Sequence, residues 1–136
     1  IELGSATPIL RIFDLALAEE FYITWLGFTK DFEHRFYEGA PVYMQVSRGS
    51  ARVHLSEHHG DACPGAALRV EVPNGLDNLL EELKGKPYKG FNPAIQEQSW
   101  GCRELSVLDP FHNRIVFFEN IDRASVAGGG VQEQES

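Results

Sequence analysis

Four kinds of side chain in this sequence have the chemistry for catalysis or metal binding. His54, Glu57, His58 and His59 crowd one short stretch and carry the imidazoles and carboxylate that hold divalent ions. Their spacing matches no zinc signature, and His54 falls on a strand while His58 falls in the connection after it, so helical proximity does not apply. The other role for this group is His54 on the inner face of its strand, lining a cleft, with His58 and His59 at the rim. Cys63 and Cys102 lack companions for nucleophilic catalysis and read as structural thiols, their pairing left open. Ser106 has no positioned histidine nearby and is a hydrogen-bonding group before it is a nucleophile. Glu104 fits equally a general base and a counter-charge for a cationic ligand. No glycine-rich phosphate loop accompanies them, since the glycine cluster lies at residues 128–130.

Those residues must be positioned by strands. Leu105 to Leu108 and Ile115 to Phe118 flank the turn formers of Asp109-Pro110-Phe111-His112-Asn113, which predicts a β-hairpin. Alternation sends Glu104 and Ser106 to one face and Arg103, Leu105 and Val107 to the other, toward a helix layer. Earlier in the chain, Ser5 to Phe13 is β-prone. Asp14 is a good N-cap for a helix over Leu15 to Leu26, whose Ala18, Phe21, Tyr22, Trp25 and Leu26 recur at helical spacing before the stop at Gly27. This stripe is core-facing. Phe28 to Tyr37, Val42 to Ser47 and Arg52 to Ser56 read as a three-strand meander, followed by a polar connection through Gly65. The order then repeats: a strand over Ala66 to Val72, a helix capped by Asn74 with Asp77 at a capping-box position and Leu76, Leu79, Leu80 and Leu83 on one face, a stop at Gly85, an extended segment over Tyr88 to Ile95, and the hairpin.

Each half is strand, helix, then further strands. The expected fold class is therefore α+β, with two βαβββ modules at about 5–57 and 65–120, related by internal duplication. Curled mixed sheets would form a cleft with the helices packed outside, in one domain over residues 1–122. Residues 123–136, glycine-rich and polar, are expected to be a disordered tail. With 136 residues, 43% of them hydrophobic, the chain has enough apolar material for one core without disulfide staples. No apolar run approaches the roughly 20 residues that span a bilayer, and the start lacks a signal-peptide pattern, so a soluble, cytoplasmic protein is expected. A net charge of −8 repels phosphate backbones, which argues against nucleic acid as a partner and favours cationic ligands.

Three stretches, FDLALAEEFYITWLGF, SRGSARVHLSEH and WGCRELSVLDPFHNRIVFFEN, give the chain from Ser5 to Asn120 a resemblance to the vicinal oxygen chelate superfamily, which joins glyoxalases, dioxygenases and bleomycin resistance proteins. It is most similar to the bleomycin resistance proteins, whose pattern also has a helix ending FY…LGF, an RG turn, and WG before a strand and DP. The resemblance assigns the superfamily's metal-ligand positions to Thr7, Ala66 and Val116, none of which supplies an imidazole or carboxylate, so no metal cofactor is expected. It also places Tyr43 and Trp100 where the resistance proteins carry aromatic side chains near their ligand groove, with Phe32 on the neighbouring strand. Flat rings suit stacking on a planar cationic drug. Phe32 and Tyr43 are read equally well as core.

The resemblance thus implies a non-catalytic protein that sequesters a cationic glycopeptide antibiotic of the bleomycin or phleomycin type. Its ligand-binding residues would be Phe32, Tyr43, His54, Trp100, Glu104 and Ser106. The family also implies a homodimer, with Ala6-Thr7-Pro8 suited to exchange of the first strand. Two alternatives are a metal-dependent lyase, dioxygenase or antibiotic-modifying transferase of the same superfamily, and a binder of another planar metabolite.

Overall fold

The computed structural model describes residues 1–121; the tail expected at 123–136 lies outside them. The first module runs β1 (Ile9–Arg11), α1 (Leu15–Glu19), a π-helical turn (Glu20–Trp25), β2 (Thr29–His34), β3 (Tyr43–Arg48) and β4 (Ala51–Ser56). The second runs β5 (Ala67–Glu71), α2 (Leu76–Lys84), β6 (Ile95–Gln98), β7 (Cys102–Leu108) and β8 (Arg114–Asn120). The described residues divide into two compact units, Ile1–Leu68 with Leu108–Ile115, and Arg69–Val107 with residues 116–121.

The strands form two four-stranded sheets in the orders β1-β4-β3-β2 and β5-β8-β7-β6, the same order advanced by four. In the first, β1 lies parallel to β4 and the other neighbours are antiparallel. In the second, Arg114 N–H donates to the Ala66 carbonyl at 2.9 Å and Val72 N–H to that of Phe118 at 2.7 Å, so β5 and β8 also run in the same direction. The mixed α+β fold of two similar modules expected from the sequence is the fold observed.

Asp14 caps α1 as expected, its Oδ1 accepting from Leu17 N–H at 2.9 Å. The second half of this helical segment is not plain α-helix. From Glu20 the turn widens to π geometry, seen where Leu26 N–H reaches the Phe21 carbonyl at 2.9 Å. The wider turn seats three contacting rings, with centroids 4.9 Å apart for Phe21–Tyr22 and 5.5 Å for Phe21–Trp25. Gly27, at φ 78°, ends it, and Phe28 N–H closes back onto the Tyr22 carbonyl. Ala18, Phe21, Tyr22, Trp25 and Leu26 are all buried, as their spacing requires.

Several expectations need correction. β1 is confined to Ile9–Arg11, and Pro8, which has no N–H, marks its start. β2 stops at His34 rather than Tyr37. In the second half, α2 is preceded by Gly75 at φ 118°, and no side chain caps it. Asn74 is therefore not the cap, and Asp77 faces Arg103 instead, at 2.8 and 3.1 Å. A guanidinium fork outcompetes a single backbone N–H for a carboxylate. Finally, β6 begins only at Ile95; Tyr88 and Phe91 make an isolated bridge in the loop before it.

The turn that joins β7 to β8 sits in the first unit and is held from inside. Asp109 and Asn113 are buried, and Asp109 Oδ1 accepts from Phe111 and Asn113 N–H, each at 2.8 Å. Its Oδ2 accepts from the Tyr22 hydroxyl at 2.6 Å and from Asn113 Nδ2 at 2.9 Å. Asn113 Nδ2 also donates to the Arg11 carbonyl, and its Oδ1 accepts from Ala66 N–H. Both carboxylate oxygens are doubly satisfied, the condition under which a buried charge is tolerated. Burial, with Asp109 alongside, pushes the Tyr22 phenol well above its ordinary value and keeps it a donor.

Candidate functional site

Alternation in the first sheet separates its faces. Met44 and Val46 on β3, with Val53 and Leu55 on β4, are buried. The residues between them, Tyr43, Gln45 and Ser47 on β3 and Arg52 and His54 on β4, are at least partly exposed on the other face. Cross-strand register sets Gln45 opposite His54 and Tyr43 opposite Ser56. On β2 the register shifts between Lys30 and Phe32, so Asp31 is an extra residue. That bulge lets Asp31 and Phe32 both address Gln45.

The result is a run of rings. Phe32 meets His54 edge to face with centroids 5.8 Å apart, His54 meets Tyr43 at 5.1 Å, and Tyr43 meets His58 at 6.5 Å. Phe36 continues it, 5.8 Å from His58 and 4.8 Å from His34. His58 is set in place by Ser56, whose Oγ accepts its N–H at 3.0 Å and donates to Asp61 at 2.6 Å. Neither Phe32, 44% exposed, nor Tyr43 belongs to the core, which closes the alternative left open by the sequence.

A hydrogen-bonded chain crosses the same face. Tyr43 Oη lies 2.6 Å from His54 Nδ1, His54 Nε2 lies 2.9 Å from Gln45 Oε1, and Gln45 Nε2 donates to Asp31 Oδ2 at 2.9 Å. Burial, then nearby Arg52, lowers the His54 pKa from its ordinary 6.5, so the ring is neutral near pH 7. Burial, then Asp61, raises that of Tyr43, so the phenol keeps its proton. Hydrogen bonds from Gln45 and then Ser47 lower that of Asp31, so it is an anion.

On the second sheet, Arg69 Nη1 donates to Glu104 Oε2 at 2.7 Å, and Gln98 Nε2 reaches Glu104 Oε1 at 3.4 Å. The Arg69 guanidinium lies 4.3 Å over the Phe118 ring and touches Cys102 Sγ at 3.6 Å. Glu104 favours the charged Arg69, whose pKa is raised chiefly by that hydrogen bond. Leu105 and Val107 are buried and Ser106 is exposed, as period two requires. Trp100 stands 65% exposed in the turn closed by Gly101 N–H to the Gln98 carbonyl, with Gly101 at φ 80°.

Of the six residues singled out in the sequence, Phe32, Tyr43 and His54 converge in the first unit. Trp100, Glu104 and Ser106 belong to the second, where Glu104 is already neutralised by Arg69. Asp31, Gln45 and Arg69 are the residues that sequence reasoning missed. Gln45 was legible as the same-face neighbour of Tyr43, two positions on; the bulge that presents Asp31 has no sequence signal here.

No three His, Cys, Asp or Glu side chains are arranged to share a metal ion among the described residues. Thr7, Ala66 and Val116 offer one hydroxyl and two apolar groups, so the donor set does not fit a resident divalent ion. Cys63 is exposed and Cys102 buried, and both are free thiols. No helix among the described residues is long and apolar enough to cross a membrane.

A family model described as "Glyoxalase superfamily protein" matches residues 1–124. A bleomycin resistance protein of Geobacillus stearothermophilus is 30% identical over 132 residues, covering 84% of this chain and 95% of the relative; one from Staphylococcus aureus matches equally. Among solved structures, the bleomycin-binding protein of the producer Streptomyces verticillus, complexed with copper(II)-bleomycin, is 30% identical with a TM-score of 0.65. The match covers 86% of this chain and 96% of that one. A glyoxalase-related enzyme from Clostridium phytofermentans shares the fold at 23% identity and a TM-score of 0.69, over 89% of this chain and 98% of its own.

Proposed function

Because this chain belongs to the glyoxalase and bleomycin resistance superfamily, we propose that it binds a bleomycin-type antibiotic without altering it and protects by sequestration. The observation that carries the proposal is the ring-lined face of the first sheet, where Phe32, Tyr43 and His54 lie edge to face with exposed surface beside them. A planar drug segment stacks on such a surface at little conformational cost, because each ring has only two torsions to order. Asp31 and Asp61, with the overall charge of −8, favour a cation in that position. Sequestration requires affinity and no bond making. A metal ion would arrive with the drug, as cargo.

Trp100 and Ser106, on the second unit, would offer the ligand contacts of their own, and two copies of the chain would combine as a homodimer. Supporting the dimer, β1 is the last strand of its sheet, and Ile1, Leu3 and Phe13 around it are exposed. Sedimentation across protein concentration tests that part. For the function, the protein is titrated with bleomycin by calorimetry. Saturable binding near stoichiometry is expected at micromolar protein, and its absence there removes the proposal.

A further inference from the structure

The chain Asp31–Gln45–His54–Tyr43 has only one self-consistent direction. Asp31 is a carboxylate and accepts; Gln45 must therefore turn its amide N–H toward Asp31, at 2.9 Å, and its carbonyl oxygen toward His54. That oxygen, 2.9 Å from His54 Nε2, can only accept, so the ring proton lies on Nε2. His54 Nδ1 is then a bare lone pair, and the Tyr43 hydroxyl 2.6 Å away must donate to it. The Ser47 hydroxyl holds Asp31 as well. A carboxylate at the solvent edge thus fixes, through two side chains, which way a phenol proton points.

With its proton committed to His54, Tyr43 Oη has only lone pairs left for a ligand. We propose that Asp31 and Gln45 are positioning residues that lock Tyr43 as an acceptor, so that this face selects planar ligands presenting an N–H donor over isosteric rings presenting an oxygen acceptor. The selection is one of polarity and not of charge, and it would apply to neutral rings in high salt, where the attraction of Asp31 and Asp61 for cations is screened. It rests on the reading of this face as the ligand surface, and it specifies which edge of a planar ligand points at β3. Arg52, beside His54, opposes any extra positive charge on the imidazole and so supports the neutral tautomer.

The test uses the intact chain and two neutral probes of the same shape, indole and benzofuran, which differ by N–H against ring oxygen. Nitrogen chemical shifts of a histidine-labelled sample read the His54 tautomer directly, and shift titrations read the two affinities at high salt. Expected are a proton on Nε2 and a preference for indole of about fivefold, the worth of one hydrogen bond. In Asp31→Asn, whose amide also allows the opposite direction, the Nδ1–H tautomer should appear and the preference should fall toward one. Tyr43→Phe should abolish the preference while leaving both rings able to bind.

A parent His54 protonated on Nδ1, equal affinity for the two probes, or binding of neither overturns the inference. Failure of the drug titration with the indole preference intact would remove the proposed antibiotic and leave the polarity lock standing. Drug binding without the preference would do the reverse.

Discussion

The two sheets share one strand order and use their polar faces in opposite ways. On the first, two rings, the Gln45 amide and the Asp31 carboxylate are joined by hydrogen bonds that run from Asp31 to Tyr43. On the second, Arg69 and Glu104 close on each other at 2.7 Å, and the guanidinium covers Phe118. An internal ion pair spends its charges on itself; a ring surface with an oriented dipole retains both for a partner. Topology alone therefore does not decide what a polar face presents to solvent. The register shift at Asp31, on β2 of the first sheet, contributes to the difference.

The largest effect should come from Asp109, which belongs to neither open face and serves as the yardstick for both. Asp109→Ala strands the Tyr22 hydroxyl and two backbone N–H groups in a buried turn and leaves Asn113 Nδ2 with the Arg11 carbonyl alone. A loss of about 3 kcal/mol or more in urea unfolding is expected. Tyr22→Phe, which removes one donor only, should cost about 1 to 2 kcal/mol. A neutral Asp109→Ala would mean that the turn is held by its backbone alone.

Next in size is the contrast between faces. Tyr43→Ala should weaken bleomycin binding about tenfold, the value of a lost ring contact and acceptor. Arg69→Ala should change it less than about twofold, since one extra exposed charge contributes little at physiological salt. A clear strengthening in Arg69→Ala would show that freed Glu104 attracts the drug, and would move the site to the second sheet. Trp100→Ala separates the same alternatives without altering charge.

Acid should distinguish the faces as well. His54 is lowered in the folded protein by burial and then Arg52, so below its ordinary 6.5 the unfolded chain takes up a proton that the native ring refuses. Stability contributed by the neutral ring is fully present above that value and lost as pH falls from it toward the folded pKa. Urea midpoints on either side of pH 6.5 should therefore drop further on acidification in the parent than in His54→Gln. The smallest effect belongs to the second sheet. Arg69, 47% exposed in that pair, should contribute less than about 0.5 kcal/mol with Glu104, and high salt should erase it.

Most of the scaffold could be read from the residues, because period and punctuation report directly on local structure. Asp14, the stripe from Ala18 to Leu26 and Gly27 define one helix, and Asp109 to Asn113 one turn. Alternation correctly separated Leu105 and Val107 from Ser106. Features that depend on pairing across strands were hidden. The carboxylate of Glu104 looked available until Arg69, 35 residues away, was seen to hold it. Asp31 is turned toward Gln45 by a register shift, which no local pattern of residues reports. The π widening at Glu20–Trp25 accompanies the contacts of Phe21 with Tyr22 and Trp25, which the helical spacing alone does not report.

The most direct test is a calorimetric titration of the parent and of the double variant Phe32→Ala/Tyr43→Ala with bleomycin under one buffer. The parent should bind saturably, and the double variant, with both rings gone and Arg69–Glu104 intact, should bind at least about tenfold more weakly. Equal affinity in the two proteins would contradict the assignment of the drug to the first sheet.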